Sequence, residues 1–194
     1  MLQVMMHIKR GDTPYTAYFC EENIWWLAGT LIDNGQSPDM LHVLFFSNAH
    51  QSIVMLKQNA ATPDQPIAWD YHVVLLVNEP DEAWILDPDS RLPFPTPADR
   101  YMAESFPQQT LLKPAYRTMV RVVPAASYCE RFYSDRSHMR GQLPETRFPD
   151  YPVIQPDWDA RPLTLAQYRD FTTALDDGSH VLPLSAFDIT RPGM

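Results

Sequence analysis

Apolar positions recur with two different periods along this chain. Cys20, Ile24, Leu27 and Leu31 stand at i, i+4, i+7 and i+11, one stripe of a 3.6-residue repeat, so a helix begins at residue 20. Glu21 and Glu22 fall in its first turn, where carboxylates suit the positive end of the helix dipole, and Asp33-Asn34-Gly35 closes it. Further on the pattern becomes that of strands. Residues 69–77 are aromatic and β-branched, residues 78–82 supply turn formers, and residues 83–87 return, which reads as a hairpin. Residues 116–123 alternate polar and apolar and predict a strand with one solvated face. Residues 41–46 and 53–56 are short apolar runs whose period fits a strand or a buried helical piece equally well. Residues 1–19 read as an irregular lead, and residues 163–171 as a capped helix. The order predicts an α+β fold, an N-terminal helix packed on an antiparallel sheet.

Composition narrows this picture. A chain of 194 residues with 45% hydrophobic content forms one domain with a core of its own, here taken as residues 1–194. The 19 prolines crowd the second half while only 6 glycines are present, so that half is expected to hold short elements joined by ordered loops. A net charge of −9 argues against a nucleic-acid partner and suits a partner with a positive charge. No run approaches the roughly 18 apolar residues of a membrane span. Cys20 and Cys129 are too few for a disulfide framework, and the start of the chain lacks the pattern of a signal peptide, so a cytoplasmic protein is expected. His7, His42, His50 and His180 form no metal-ligand spacing, and neither metal nor organic cofactor is expected.

Three residues carry candidate chemistry. Cys20 opens the helix, where unpaired N–H groups stabilise a thiolate and can receive an oxyanion, although the Glu21 and Glu22 carboxylates oppose ionisation. A lone cysteine of this kind also serves as a plain core residue. A hairpin turn centred between Glu79 and Pro80 sets His72 opposite Asp87, with Cβ atoms about 5 Å apart, close enough for a carboxylate to hold an imidazole. A paired histidine and aspartate on a surface would give the same pattern, and a slip in register would turn one of the two away. Cysteine at a helix start, then histidine and aspartate on successive strands, is similar to the order in papain-like and transglutaminase-like cysteine enzymes. Six histidines allow several such triples, so spacing leaves the choice open.

The surrounding words are more specific. Phe19-Cys20-Glu21-Glu22-Asn23-Ile24-Trp25, Trp69-Asp70-Tyr71-His72-Val73-Val74-Leu75-Leu76, Leu86-Asp87-Pro88-Asp89-Ser90-Arg91-Leu92-Pro93-Phe94-Pro95 and Ser134-Asp135-Arg136-Ser137-His138-Met139 closely resemble the protein N-terminal glutamine amidohydrolase family. The likeness covers roughly residues 18–139 and continues loosely through residues 181–187. It implies a papain- and transglutaminase-like fold, a Cys20–His72–Asp87 triad, and deamidation of N-terminal glutamine through a thioester on Cys20; Asp89, which the match does not assign, is the fallback should the hairpin register differ. Partners are then proteins or peptides with a free N-terminal glutamine, met by a monomer. Cys129 has no role in the match and reads as structural.

Selecting such a substrate requires a partner for its α-ammonium. Glu21, Glu22 and Asp70 adjoin the triad and are candidates, while Trp69, Tyr71 and Trp25 are candidate walls of the pocket. Residues 134–139 either shape the rim of the site or form a structural turn. A cysteine protease or transglutaminase on the same triad, and a binding module for protein N-termini, are the competing readings.

Overall fold

The computed structural model describes residues 8–193, so His7 lies outside them. The stripe that starts at residue 20 forms helix α1 (Cys20–Asp33), with Ile24, Leu27 and Leu31 buried. Gly35, at φ +90°, ends it in the left-handed conformation, and the Gln36 N–H reaches back to the Leu31 carbonyl at 2.9 Å.

Strands β1 (Leu41–Ser47), β4 (His72–Asn78), β5 (Ala83–Leu86), β6 (Thr96–Pro97), β7 (Met119–Pro124) and β10 (His180–Pro183) build the main sheet. Their order is β10-β7-β1-β4-β5-β6, and every pairing is antiparallel. Strands β2 (Ile53–Met55) and β3 (Ile67–Trp69) form a separate pair, and β8 (Phe132–Tyr133) pairs with β9 (Leu163–Thr164). Helices α2 (Ala98–Ser105), α3 (Ala125–Arg131) and α4 (Leu165–Arg169) are the other α-helices among the described residues. The expected α+β class, with an N-terminal helix on an antiparallel sheet, is what forms.

Residues 41–46 are a strand, and the sheet explains their ambiguity. The run lies between two partner strands and is covered on both faces, so polar alternation disappears. Val43, Phe45, Val73 and Leu75 pack with α1 and with Tyr128 and Tyr168, while Leu44, Phe46, Val74 and Leu76 pack with Tyr101 and Phe106. Each such side chain contributes about 1.5–3 kcal/mol on burial.

Four local expectations are corrected. Residues 69–77 are not one strand: Trp69 ends β3 and His72 begins β4, with Asp70 and Tyr71 bending between. The strand expected over 116–123 starts only at Met119 and has no solvated face, because β7 lies between β1 and β10 and Val120 through Val123 are buried, Arg121 included. The helix expected over 163–171 is only Leu165–Arg169; its cap is real, a reciprocal box between Thr164 and Gln167, but Leu163 and Thr164 belong to β9.

The hairpin register differs most in consequence. Asn78 pairs with Ala83 and Leu75 with Leu86, so the turn is centred between Pro80 and Asp81, and the Glu79 N–H donates to the Glu82 carbonyl at 2.9 Å. The fixed φ of proline suits the second position of a four-residue turn, which places Pro80 there. The register is therefore two residues from the one that sets 72 opposite 87. A shift of two preserves which face each side chain takes, and so leaves His72 and Asp87 on the same side.

Candidate active site

Cys20 sits at the first turn of α1 because the preceding lead is pinned. Asn23 accepts from the Thr16 N–H at 2.8 Å and donates to the Thr16 carbonyl at 2.9 Å. Phe19 is buried against Phe148, with ring centres 5.4 Å apart. Between them Tyr18 adopts φ +74°, a conformation that costs a non-glycine residue of order 1 kcal/mol or more and turns the chain into the helix. The thiol is 9% exposed.

His72 begins β4, and its Nε2 lies 3.0 Å from Asp87 Oδ2, just past the end of β5. That carboxylate is fully used. Oδ2 also accepts from the Tyr101 hydroxyl at 2.7 Å and from Gln58 Nε2 at 3.2 Å, and Oδ1 accepts from the Asp89 N–H at 2.9 Å. With Nε2 engaged by Asp87, the imidazole keeps Nδ1 for other work. The Trp69 ring lies parallel to His72 with ring centres 6.4 Å apart.

The electrostatics follow from burial and neighbours. Burial by itself lowers the His72 pKa, but the Asp87 charge and hydrogen bond outweigh it and leave it raised. Burial likewise raises Asp87, yet His72, Tyr101 and Gln58 hold it below the ordinary carboxylate range. Burial pushes the Cys20 thiol well up, and the Glu21 and Asp89 carboxylates push it further, against a backbone N–H of Val73 that favours the thiolate. At rest the sulfur is a thiol, and it needs a base.

A cavity of about 670 Å³ opens over these groups, a size that admits a side chain and the backbone attached to it. Cys20, His72 and Asp89 line it together with Trp69, Asp70 and Tyr71. Tyr15 and Tyr18 reach it from the lead, and His138 and Met139 from the 134–139 segment, so that segment does form part of the rim. Asp87 stands behind His72 and does not line it.

Several candidate residues take other positions. Glu21 lies beneath the wall: its Oε2 accepts from the Tyr71 hydroxyl at 2.8 Å and lies 3.7 Å from the Cys20 sulfur. Its Oε1 lies 3.3 Å from His138 Nε2, ion-pair distance without hydrogen-bond geometry. Glu22 is wholly buried away from the cavity, held by Arg136 Nε at 2.9 Å, Arg136 Nη2 at 2.8 Å and the Ser134 hydroxyl at 2.6 Å. Trp25 is no wall either, since its indole N–H donates to the Cys129 carbonyl at 3.0 Å. Cys129 is a half-buried thiol pushed up to about 12 by burial and by Asp33, remote from the cavity, as a structural residue would be. Asp70 does line the cavity, but Arg169 Nη2 holds its Oδ2 at 2.7 Å, and the Arg169 Cζ lies 4.4 Å from the centre of the Tyr71 ring.

Tyr101, Gln58, Tyr15 and Arg169 escaped the sequence reading. Nothing in their local pattern marks them; only the loop after β2, bridged at Gln58 to Ser90, and α2, packed on β5, bring Gln58 and Tyr101 to Asp87.

The family model described as N-terminal glutamine amidase matches residues 15–187. A Bos taurus relative is 40% identical over 150 residues, covering 75% of this chain and 72% of its own. A Homo sapiens relative is 39% identical over 150 residues, covering 75% and 73%. A Danio rerio relative is 38% identical over 145 residues, covering 73% and 72%. All three are named protein N-terminal glutamine amidohydrolase. The matched span includes the cavity, its cysteine and the histidine–aspartate pair, and the chain belongs to the N-terminal glutamine amidase family.

Proposed function

We propose that this protein hydrolyses the side-chain amide of glutamine at the N-terminus of proteins and peptides, releasing ammonia and leaving glutamate, with Cys20 as nucleophile, His72 as general base and acid, and Asp87 as the group that orients His72. The observation that carries this reading is the buried 3.0 Å His72–Asp87 contact, with His72 sharing one cavity with Cys20, in a chain of this family. The order of cysteine on a helix and histidine and aspartate beside successive strands supports a place among papain- and transglutaminase-like enzymes.

The chemistry follows from the charges. The Cys20 thiol gives its proton to His72 as sulfur attacks the amide carbon, and the Asp87 carboxylate stabilises the imidazolium that forms. The Cys20 N–H, first in α1 and without an intrahelical acceptor, donates to the developing oxyanion. His72 returns the proton to the departing nitrogen, ammonia leaves, and a γ-glutamyl thioester remains. Water, deprotonated by His72, cleaves the thioester and frees the thiol. Every group in the sequence comes from one chain, so a monomer suffices, and two free cysteines fit a reducing, cytoplasmic setting.

Ammonia release from a short peptide with N-terminal Gln is the test. Matched peptides with N-terminal Asn, with internal Gln and with an acetylated amine are the controls. Activity on the free N-terminal Gln peptide alone, lost in a folded Cys20→Ala variant, is expected. Turnover of internal Gln would move the protein to a general deamidase or transglutaminase, peptide cleavage to a protease, and binding without turnover to a recognition module.

A further inference from the structure

An enzyme confined to N-terminal glutamine must bind the α-ammonium, which is charged near neutral pH. Burying that charge without a partner is costly, so the cavity has to supply an anion. Three carboxylates are close enough to consider, and two are engaged. Glu21 is bonded to Tyr71 through one oxygen, and its other oxygen, though unbonded beside His138, is buried and does not line the cavity. Asp70 is bound by Arg169, and its other oxygen accepts the Tyr71 N–H at 3.1 Å.

Asp89 differs. It lines the cavity with Cys20 and His72. Its Oδ1 accepts from the Tyr15 hydroxyl at 2.5 Å, and its Oδ2 has no donor among the described residues. The loop that carries it is rigid: the Asp89 N–H is tied to Asp87 Oδ1 at 2.9 Å and the Asp89 carbonyl to the Asn59 N–H at 2.7 Å. A single turn thus sends Asp87 behind His72 and Asp89 into the cavity. In an extended glutamine the δ-carbon and α-nitrogen lie roughly 5 Å apart, within the span of one cavity of this size.

Resting on the amidase reading, we infer that Asp89 is the specificity residue for the substrate's α-ammonium, with Tyr15 holding its carboxylate in place. The assignment has a second consequence. The Asp89 charge is among those that oppose ionisation of Cys20. An ammonium seated on Asp89 cancels it, so the correct substrate makes its own nucleophile easier to form. A blocked N-terminus loses both the ion pair and this relief.

The test compares two peptides, one with N-terminal Gln and one in which that residue lacks only its α-amine, on wild-type protein and on Asp89→Asn. For wild type the ratio of kcat/KM values is expected to favour the free amine on the order of 100-fold, the size of a charge-assisted contact. In Asp89→Asn it is expected to fall to within a few-fold of one, the loss falling on the free-amine peptide. The same variant is expected to alkylate faster at Cys20 with iodoacetamide at fixed pH, because a nearby negative charge is gone. Opposite changes in thiol reactivity and in free-amine turnover would not arise from a merely structural role. Asp89→Ser serves if Asp89→Asn does not fold. A ratio that persists in the folded variant overturns the assignment. If wild type releases no ammonia from either peptide, the amidase reading itself fails and takes this inference with it.

Discussion

Residues 41–89 and residues 134–179 both border the cavity, but different bonds hold them. The first region is a ladder: β1 and β4 satisfy their backbones against each other over six residue pairs, and His72 and Asp87 stand at the ends of ladder strands. The second region is irregular and proline-rich, with Pro149, Pro152, Pro156 and Pro162 unable to donate to any ladder. Its carbonyls are collected by buried arginines instead. Arg121 donates to the carbonyls of Tyr168, Asp170 and Thr173, Arg131 to those of Arg161 and Asp176, and Arg136 to those of Pro149, Tyr151 and Pro152. A guanidinium carries five donors in a fixed fork and so replaces a strand partner where a strand cannot form. The proposed chemistry therefore rests on regular elements, while the rim hangs on a few charged side chains.

Asp87→Asn separates the two regions most widely. Its kcat/KM on an N-terminal Gln peptide is expected to fall about 10³–10⁴-fold, because an amide no longer holds the imidazole in the working tautomer. Limited proteolysis within 134–179 is expected to be unchanged. The pH profile adds a sign. Asp87 raises the His72 pKa, so wild-type activity appears as pH climbs through a value above the ordinary histidine range. Without Asp87, burial prevails, and the acid limb of the residual activity moves to lower pH. A limb that stays in place would show that His72 is not the base.

Arg136→Met strikes the other region. It leaves Glu22 buried with only the Ser134 hydroxyl, and a stability loss of about 3–5 kcal/mol is expected in urea unfolding. Adding Glu22→Gln removes the stranded charge and is expected to recover part of that loss. Equal loss in the single and double variants would mean that the bonds to Pro149, Tyr151 and Pro152, rather than the ion pair, carry the energy.

Tyr101→Phe is the finest probe, since it removes one hydrogen bond to Asp87 and nothing else in the site. A drop of about 1 kcal/mol in stability and up to about tenfold in kcat/KM is expected from thermal melting and steady-state rates. A fall as large as that of Asp87→Asn would mean that Tyr101, not the strand ends, places the carboxylate.

Much of this was legible before folding. The helix at residue 20 declared itself through Ile24, Leu27 and Leu31, and the hairpin through Pro80 and its neighbours. His72 and Asp87 were paired correctly through a register two residues off, because side-chain parity, not the exact partner, decides which face a residue takes. The reading of residues 116–123 failed for a related reason. Alternation normally marks a wet face, but Arg121 turns inward, where four hydrogen bonds to Tyr168, Ser179, Asp170 and Thr173 compensate its burial.

The sequence by itself determined the α1 stripe and the class of fold, because periodicity and short-range turn chemistry act within a few residues; the three residues proposed for chemistry were singled out by the resemblance of the words around them to a known family. Only the tertiary structure decided which carboxylates face the cavity and which are held elsewhere. Glu21, Glu22, Asp70 and Asp89 are equivalent anions along the chain. Contacts from residues distant in sequence, Arg136 to Glu22, Arg169 to Asp70 and Tyr71 to one oxygen of Glu21, hold three of them; the other Glu21 oxygen is unbonded but buried off the cavity, and only Asp89 turns an open oxygen toward it.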